Sequence, residues 1–307
     1  MTDNWPHVPV MLRETLEIMG GRLPDGSPAV FVDATLGAGG HASALLERFP
    51  ESSLVGLDQD EMARSIAEER LSPYEKRARV RGWNFRDISL LGGEPGWSGA
   101  DGVLFDLGVS NMQLATPERG FSFQEDGPLD MRMDKSADIK TAAEILESGD
   151  ARELAAVFRE YGEERYAFQI ARAIVWRRER GGRIETTSDL TNLIRATLPA
   201  PVQRKMGTHP ARRVFQALRI AVNSELEALS EGLEGAIEIT RSGGVIVVIS
   251  YHSLEDRIVK RTFLGWAQGK RGRILTRRPM TPSGEETGEN RSSRSAKLRA
   301  FEINTCS

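Results

Sequence analysis

The chain is poor in several features that define large protein classes. It has a single cysteine in 307 residues, Cys306, which excludes an intrachain disulfide framework and a cysteine-built metal cluster. Its four histidines, His7, His41, His209 and His252, are too scattered in sequence for ligand spacing, so no metal is expected. No apolar run approaches membrane-spanning length, and the opening residues MTDNWPHVPV contain no signal-peptide core. A reduced, soluble, cytoplasmic protein is the expectation. Net charge is also slight, 41 Lys+Arg against 44 Asp+Glu, and taken alone it argues against a nucleic-acid binder. The distribution argues the other way. Arg257 to Ser307 holds 12 Lys+Arg and 4 Asp+Glu, which leaves 29 and 40 in residues 1–256, so a +8 segment follows a −11 body. A segment of that polarity can meet phosphates, although a charge run by itself is more often a solvated surface.

What is present is concentrated in Val30–Asp60, VFVDATLGAGGHASALLERFPESSLVGLDQD. Val30-Phe31-Val32 suits a buried parallel strand. Gly37-Ala38-Gly39-Gly40 then lets the backbone turn and approach a ligand closely. His41–Phe49 follows as a helix with Leu45, Leu46 and Phe49 on one face. A second apolar run, Leu54–Leu57, delivers Asp58, where a carboxylate can accept hydrogen bonds from a ribose diol. The Gly37-x-Gly39-x-x-Ala42 pattern fits a dinucleotide loop and a methyl-donor loop equally well. Asp33, at the end of the first strand, favours S-adenosylmethionine, because a cationic ligand gains from an anionic neighbour and a pyrophosphate does not.

The alternation continues through a helix at Glu61–Leu71, a third strand at Arg79–Trp83 leading to Asn84-Phe85, a loop at Gly92–Gly96, and a fourth strand, Gly102–Phe105, that delivers Asp106. From about Thr116 to His209 no strand is legible. Helical stripes run through Leu154, Val157, Phe158 and Tyr161, and through Ile170, Ile174 and Val175. Ser188 suits an N-cap for a further helix that Pro199 and Pro201 end. The expected organisation is a core of 1–115 and 210–307 with an inserted helical domain, 116–209. Arg212–Thr240 is expected as one long helix, Gly243–Ser250 as the strongest strand and His252–Trp266 as a helix. Arg273–Arg277 and Lys297–Ile303 are candidates for a closing hairpin, with Thr281–Ser295 as a mobile loop. The fold class is therefore α/β, a mostly parallel, doubly wound sheet. Ligands of such sheets lie outside the carboxyl ends of the strands, where Asp33, Asp58, Phe85, Asp106 and Tyr251-His252 all fall.

The loop after the fourth strand, Asp106 to Gln113, is the expected reacting region. An exocyclic base amine is a poor nucleophile because its lone pair is delocalised. Acceptors on its N–H bonds localise that pair, and alignment of this kind supplies about 7–11 kcal/mol. Asp106 and Ser110 are acceptors of the right type, and Gln113 can contact cofactor or base; Ser110 can equally be a helix cap.

Seven motifs occur in order: HVPVML at His7–Leu12, DATLGAGGH at Asp33–His41, FDLGVSNMQL at Phe105–Leu114, ERGFSFQEDGPLDMRMD at Glu118–Asp134, HPARRVFQALRIAVNSEL at His209–Leu226, ISYHSLEDRIVK at Ile249–Lys260 and SRSAKLRAFE at Ser293–Glu302. Together they resemble the bacterial small-subunit ribosomal RNA cytosine-N4 methyltransferase family (RsmH, also called MraW). The resemblance implies a class I, Rossmann-like methyltransferase with S-adenosylmethionine as donor. It also implies a cytidine in the decoding region of 16S ribosomal RNA as target, with the small ribosomal subunit as partner. Carried over by position, cofactor contacts fall on Gly39, Gly40, His41, Asp58, Phe85, Asp106 and Gln113, to which the glycine pattern adds Gly37. Arg132 and His252 are candidate substrate contacts. Arg132 serves either as a phosphate clamp or as a tie for its own loop, and Ser253 is a candidate cap for the next helix, with Asp256 closing it. The chain departs from the family's usual Ser-Ser-Pro-Gln, having Ser110-Asn111-Met112-Gln113. Base stacking is left to Phe121, Phe123 or Tyr251, and a homodimer is left open. Two other functions fit parts of the sequence: a nicotinamide-dependent oxidoreductase with His252 as proton donor, and a non-catalytic RNA-binding assembly factor.

Overall fold

A computed structural model describes residues 9–21, 23 and 26–304; His7 and Cys306 lie outside the described residues. The chain divides after Gly108 and again after Glu225 into a sheet unit and a helical unit.

In the sheet unit seven strands, β1 (Val30–Asp33), β2 (Ser53–Leu57), β3 (Ala78–Arg81), β4 (Ala100–Asp106), β5 (Thr240–Ser250), β6 (Gly272–Ile274) and β7 (Lys297–Ile303), stand in the order β3-β2-β1-β4-β5-β7-β6. Neighbours from β3 to β5 are parallel, and β7 runs antiparallel to both β5 and β6. This is the sheet of a class I methyltransferase, with the order reversing beside β1 and β4, where such folds bind nucleotides. Burial on both faces explains the apolar strand sequences. Phe31, Leu104, Val245, Val247 and Ile249 enter one core, while Val32, Val103, Phe105, Ile246 and Val248 enter the other. The second core is completed by Phe263, Trp266 and Phe301, whose ring centroids lie 5.3–5.4 Å apart.

The helical unit, Val109–Glu225, has its own core, including Phe158, Ile170, Ile174, Leu190, Val214 and Leu218. It begins and ends outside the expected 116–209. The Arg212–Asn223 helix packs on Ala142–Ser148 and Ala151–Glu160, helices of the same unit.

Several local expectations are corrected. Arg212–Thr240 is two helices, Arg212–Asn223 and Glu225–Ile239, broken at Ser224, whose φ of 49° is left-handed. Side-chain periodicity carried across the break and concealed it. Thr186, not Ser188, caps the Thr187–Thr197 helix, its hydroxyl accepting from Asp189 N in a reciprocal box. After Pro199 the chain re-enters a short helix, Ala200–Lys205, since proline is tolerated in a first turn. His252, not Ser253, caps Ser253–Gln268, with Glu255 closing the box in place of Asp256. The segment 281–295 holds a short helix, Gly284–Glu289, and a 3-10 turn, Arg291–Ser295, capped by Ser283 and Asn290. Glu286 accepts from Met11 N at 2.8 Å, tying this segment to the left-handed residue that opens Leu12–Gly20.

Candidate active site

β1, β2, β4 and β5 are parallel and end at one rim, and each delivers a polar residue there: Asp33, Asp58, Asp106 and, one residue past β5, Tyr251. The turn after β1 is built for close approach. Gly37 and Gly39 have φ of 51° and 73°, left-handed values that favour glycine. A Cβ on Gly40 would stand 2.6 Å from Pro9 Cγ. Asp58 organises this turn from the neighbouring strand, its Oδ2 accepting from Gly37 N and its Oδ1 from Asp60 N, both at 2.8 Å. Thr35 does the same between β1 and β4: its hydroxyl accepts from Asp106 N at 2.6 Å, and its own N–H donates to Asp33 Oδ1 at 3.2 Å.

Three carboxylates share this rim without an ion-paired lysine or arginine among the described residues. Burial pushes Asp33 and Asp106 up to about 7 and Asp58 up to about 6. For Asp33 the charges of Asp106 and Asp58 add to the effect, while the bond from Thr35 N opposes it. Desolvation and like charge disfavour the ionised form in the same direction.

His41, in the first turn of Gly40–Arg48, is 5% exposed and lies between two elements. Its Nε2 is 3.1 Å from Val10 O, and a carbonyl only accepts, so the proton is on Nε2. Nδ1 is then a lone pair 3.7 Å from Asp106 Oδ2. Burial lowers the imidazole to about 4, leaving it neutral at physiological pH. Tyr251 completes the surroundings of Asp106: its hydroxyl donates to Asp106 Oδ1 at 2.7 Å, and its ring covers Gly108. The sequence offered Tyr251 as a rim residue and a candidate stacking ring, not as a partner of Asp106. Its position just beyond β5, the strand paired with β4, was the available signal for a contact with Asp106.

The other predicted residues divide between the units. Phe85 belongs to the rim, its ring edge-on to Phe105 at 5.8 Å, and the adjacent Asn84 donates to Gln59 Oε1 at 2.8 Å, tying it to the turn after Asp58. His252 is engaged as a cap: Nδ1 accepts from Glu255 N, and Nε2 is 3.1 Å from Glu255 Oε1. Ser110 and Gln113 lie in the helical unit and make a reciprocal cap for Asn111–Ala115, Ser110 Oγ accepting from Gln113 N and Gln113 Oε1 from Ser110 N, both at 3.1 Å. Arg132 directs its fork at Asp130, with bonds of 2.8 and 3.0 Å, the loop-holding use that the sequence left open. Buried Arg119 and Asn223 hold the same loop through the carbonyls and N–H of Met131–Met133. Phe121 is buried, and Phe123 stacks on His209 at 4.6 Å.

In the basic stretch Arg271 and Arg273 pair with Glu234 and Glu302, and Lys297 and Arg299 with Asp256. Part of the +8 is therefore neutralised locally, while Arg277 and Arg278 make no ion pair among the described residues. No helix of the described residues is long and apolar enough to cross a membrane.

The anionic rim suits a cation. It suits the phosphates of a nicotinamide dinucleotide poorly, and His252 is committed to a helix cap, so the oxidoreductase alternative loses both its ligand and its acid. Solved structures with similar folds include a putative rRNA methylase from Clostridium thermocellum, 12% identical with a TM-score of 0.46, covering 97% of this chain and 99% of that one. Another is a putative methyltransferase from Streptococcus mutans in complex with SAH, 10% identical with a TM-score of 0.43, covering 95% and 97%. Curated relatives are far nearer. Proteins named Ribosomal RNA small subunit methyltransferase H from Symbiobacterium thermophilum and Carboxydothermus hydrogenoformans are 47% and 48% identical, each over 96% of this chain and 95% and 97% of their own. With a family model matching residues 4–304 as well, the chain belongs to the MraW methylase family.

Proposed function

We propose that this methyltransferase transfers a methyl group from S-adenosylmethionine to N4 of a cytidine in the decoding region of 16S ribosomal RNA. The observation that carries the reading is the cluster of Asp33, Asp58 and Asp106 at one rim, desolvated and with no ion pair to a lysine or arginine among the described residues. Such a site is costly when empty and ionised, and a cationic ligand offsets that cost. Bound there, the donor supplies an electrophilic methyl on a cationic sulfur. Gly37, Gly39 and Gly40 would give it backbone access, Asp58 would accept from its ribose hydroxyls and Phe85 would offer an apolar face to its base. Neutral His41 adds no charge to repel it.

Asp106 has one oxygen held by Tyr251 and keeps 23% of its side chain exposed. Its carboxylate accepts an N–H of the target amine and localises the nitrogen lone pair. With a value of about 7 it is also matched to receive the proton the amine releases. The capped Ser110–Gln113 turn begins four residues after Asp106 in the chain, and Ser110 Oγ is a second acceptor of the type the reaction needs.

The names of the relatives support ribosomal RNA as substrate, and such a substrate places the protein in the cytoplasm. The helical unit and the unpaired arginines of the basic stretch contact RNA. Small ribosomal subunits from a strain lacking the enzyme, incubated with it and methyl-tritiated S-adenosylmethionine, should acquire label that mass spectrometry assigns to a single N4-methylated cytidine. Label on another base or atom, or none, would overturn the assignment.

A further inference from the structure

The Ala167–Glu179 helix in the helical unit carries an unusual outer face. Its inner face is filled by Ala167, Ile170, Ala171 and Ile174, all buried. Two of its largest side chains point the other way: Phe168 is 47% exposed and Trp176 57%. They alternate with arginine at four-residue intervals, Phe168, Arg172, Trp176 and then Arg180 at the C-cap. With a rise of about 1.5 Å per residue the series extends about 18 Å along one side of the helix. Each guanidinium lies over a ring, Arg172 at 6.0 Å from the Phe168 centroid and Arg180 at 4.0 Å from that of Trp176.

The arginines of this helix do two different jobs. Arg177 is paired with Asp189 at 2.7 Å, and Arg178 donates to the carbonyls of Leu146, Glu147 and Gly149. Those two hold the fold. Arg172 and Arg180 make no ion pair among the described residues and are exposed. Over residues 165–180 there are five arginines and one acid, Glu179.

We propose that Phe168, Arg172, Trp176 and Arg180 form a contact surface for single-stranded RNA, in which unstacked bases lie on the rings and guanidinium planes and phosphates meet the two free charges. The proposal rests on the ribosomal RNA reading above and adds a named surface to it. Charge and chemistry favour this occupant. Aromatic rings and arginines occur in protein interfaces as well, but a protein-docking core presents contiguous apolar area, whereas here a cation separates each ring from the next and the helix carries a net positive charge. Single-stranded RNA is recognised by stacking on aromatic side chains and arginine planes within a positive surface. Rigid rings pre-positioned under guanidinium groups lose little freedom when a base is added.

The test uses the full chain, a labelled single-stranded oligoadenylate, and small ribosomal subunits as methyl acceptor. Replacing one ring, as Trp176→Ala or Phe168→Ala, should weaken oligonucleotide binding by about fivefold to 100-fold. KM for subunits should rise while kcat and donor affinity stay unchanged, and Trp176→Phe should restore most of the loss. Arg172→Ala with Arg180→Ala should lower the magnitude of the salt slope by about 1.4 for two single-strand phosphate contacts. Unchanged oligonucleotide affinity and KM in the ring variants, with methylation of the subunits intact, would overturn this surface and leave the enzyme's function standing. Restoration by Trp176→Leu, which is apolar but not flat, would indicate a protein partner instead and overturn it also. So would a concentration-dependent dimer lost in the ring variants. A wild-type protein that transfers no methyl to ribosomal RNA would overturn both readings.

Discussion

Replacing Tyr251 by phenylalanine tests whether Asp106 works as an ionised acceptor. The substitution removes one oxygen and keeps the ring against Gly108. The hydroxyl donates to Asp106 Oδ1 at 2.7 Å, and it opposes the burial that raises this acid to about 7. A hydrogen bond to a charged acceptor contributes about 1.5–3 kcal/mol, and one pKa unit corresponds to about 1.4 kcal/mol. Without it the ionised form is less favoured, so Asp106 should move upward by about 1–2 units. The sign is fixed: the carboxylate is the active form, so activity is lost as pH falls through the Asp106 value, and the variant loses it at higher pH. Single-turnover methyl transfer at saturating donor, followed from pH 6 to pH 10, should show the acidic limb displaced by that amount and a plateau close to wild type. Superimposable profiles would show that Asp106 is not the titrating acceptor. A uniform loss at every pH would mean that the hydroxyl orients Asp106 without tuning its ionisation.

The rim acids give two further expectations. Asp33 has a folded value of about 7, above its ordinary 3.8, so the native state holds the extra proton in that window and stability falls as pH rises through it. Asp33→Asn, a neutral mimic, should therefore raise the melting temperature of the cofactor-free protein most at pH 8 and by a smaller amount at pH 5, where only part of that window has been crossed; equal effects at both would contradict the burial cost. Asp58→Asn keeps one acceptor oxygen where two backbone N–H groups need one each. It should weaken donor binding by at least about tenfold in calorimetry, at the level of one charge-assisted bond, and unchanged affinity would remove Asp58 from the donor site.

Much of the rim was legible because its residues are local in sequence. A strand, a glycine turn and a helix over Val30–Arg48 announce themselves by β-branching, positive-φ demand and period, and strand ends then indicate where Asp33, Asp58 and Asp106 must be. Boundaries were less legible for physical reasons. Ser224 lies inside an uninterrupted apolar period, and nothing in periodicity reports a single left-handed residue. Caps were misplaced by one or two positions at Thr186 and His252, because each has another capping-competent residue beside it and the choice depends on which side chain the first turn can reach. The segment at 281–295 reads as polar loop by composition, and a contact 275 residues away, from Met11 N to Glu286, helps hold it in place.

By itself the order of motifs determined the family, the donor class and the acids that stand at the strand ends, since those depend on residue types at short spacing. Only the tertiary structure decided how the acids are used: that Asp58 braces the glycine turn, that Tyr251 grips Asp106, that His41 is neutral, and that Arg132 is tied to Asp130. It also decided which arginines are free and which are bound into the fold. Hydrogen-bond partners and desolvation arise between segments distant in the chain, and a linear sequence carries the groups without the distances between them.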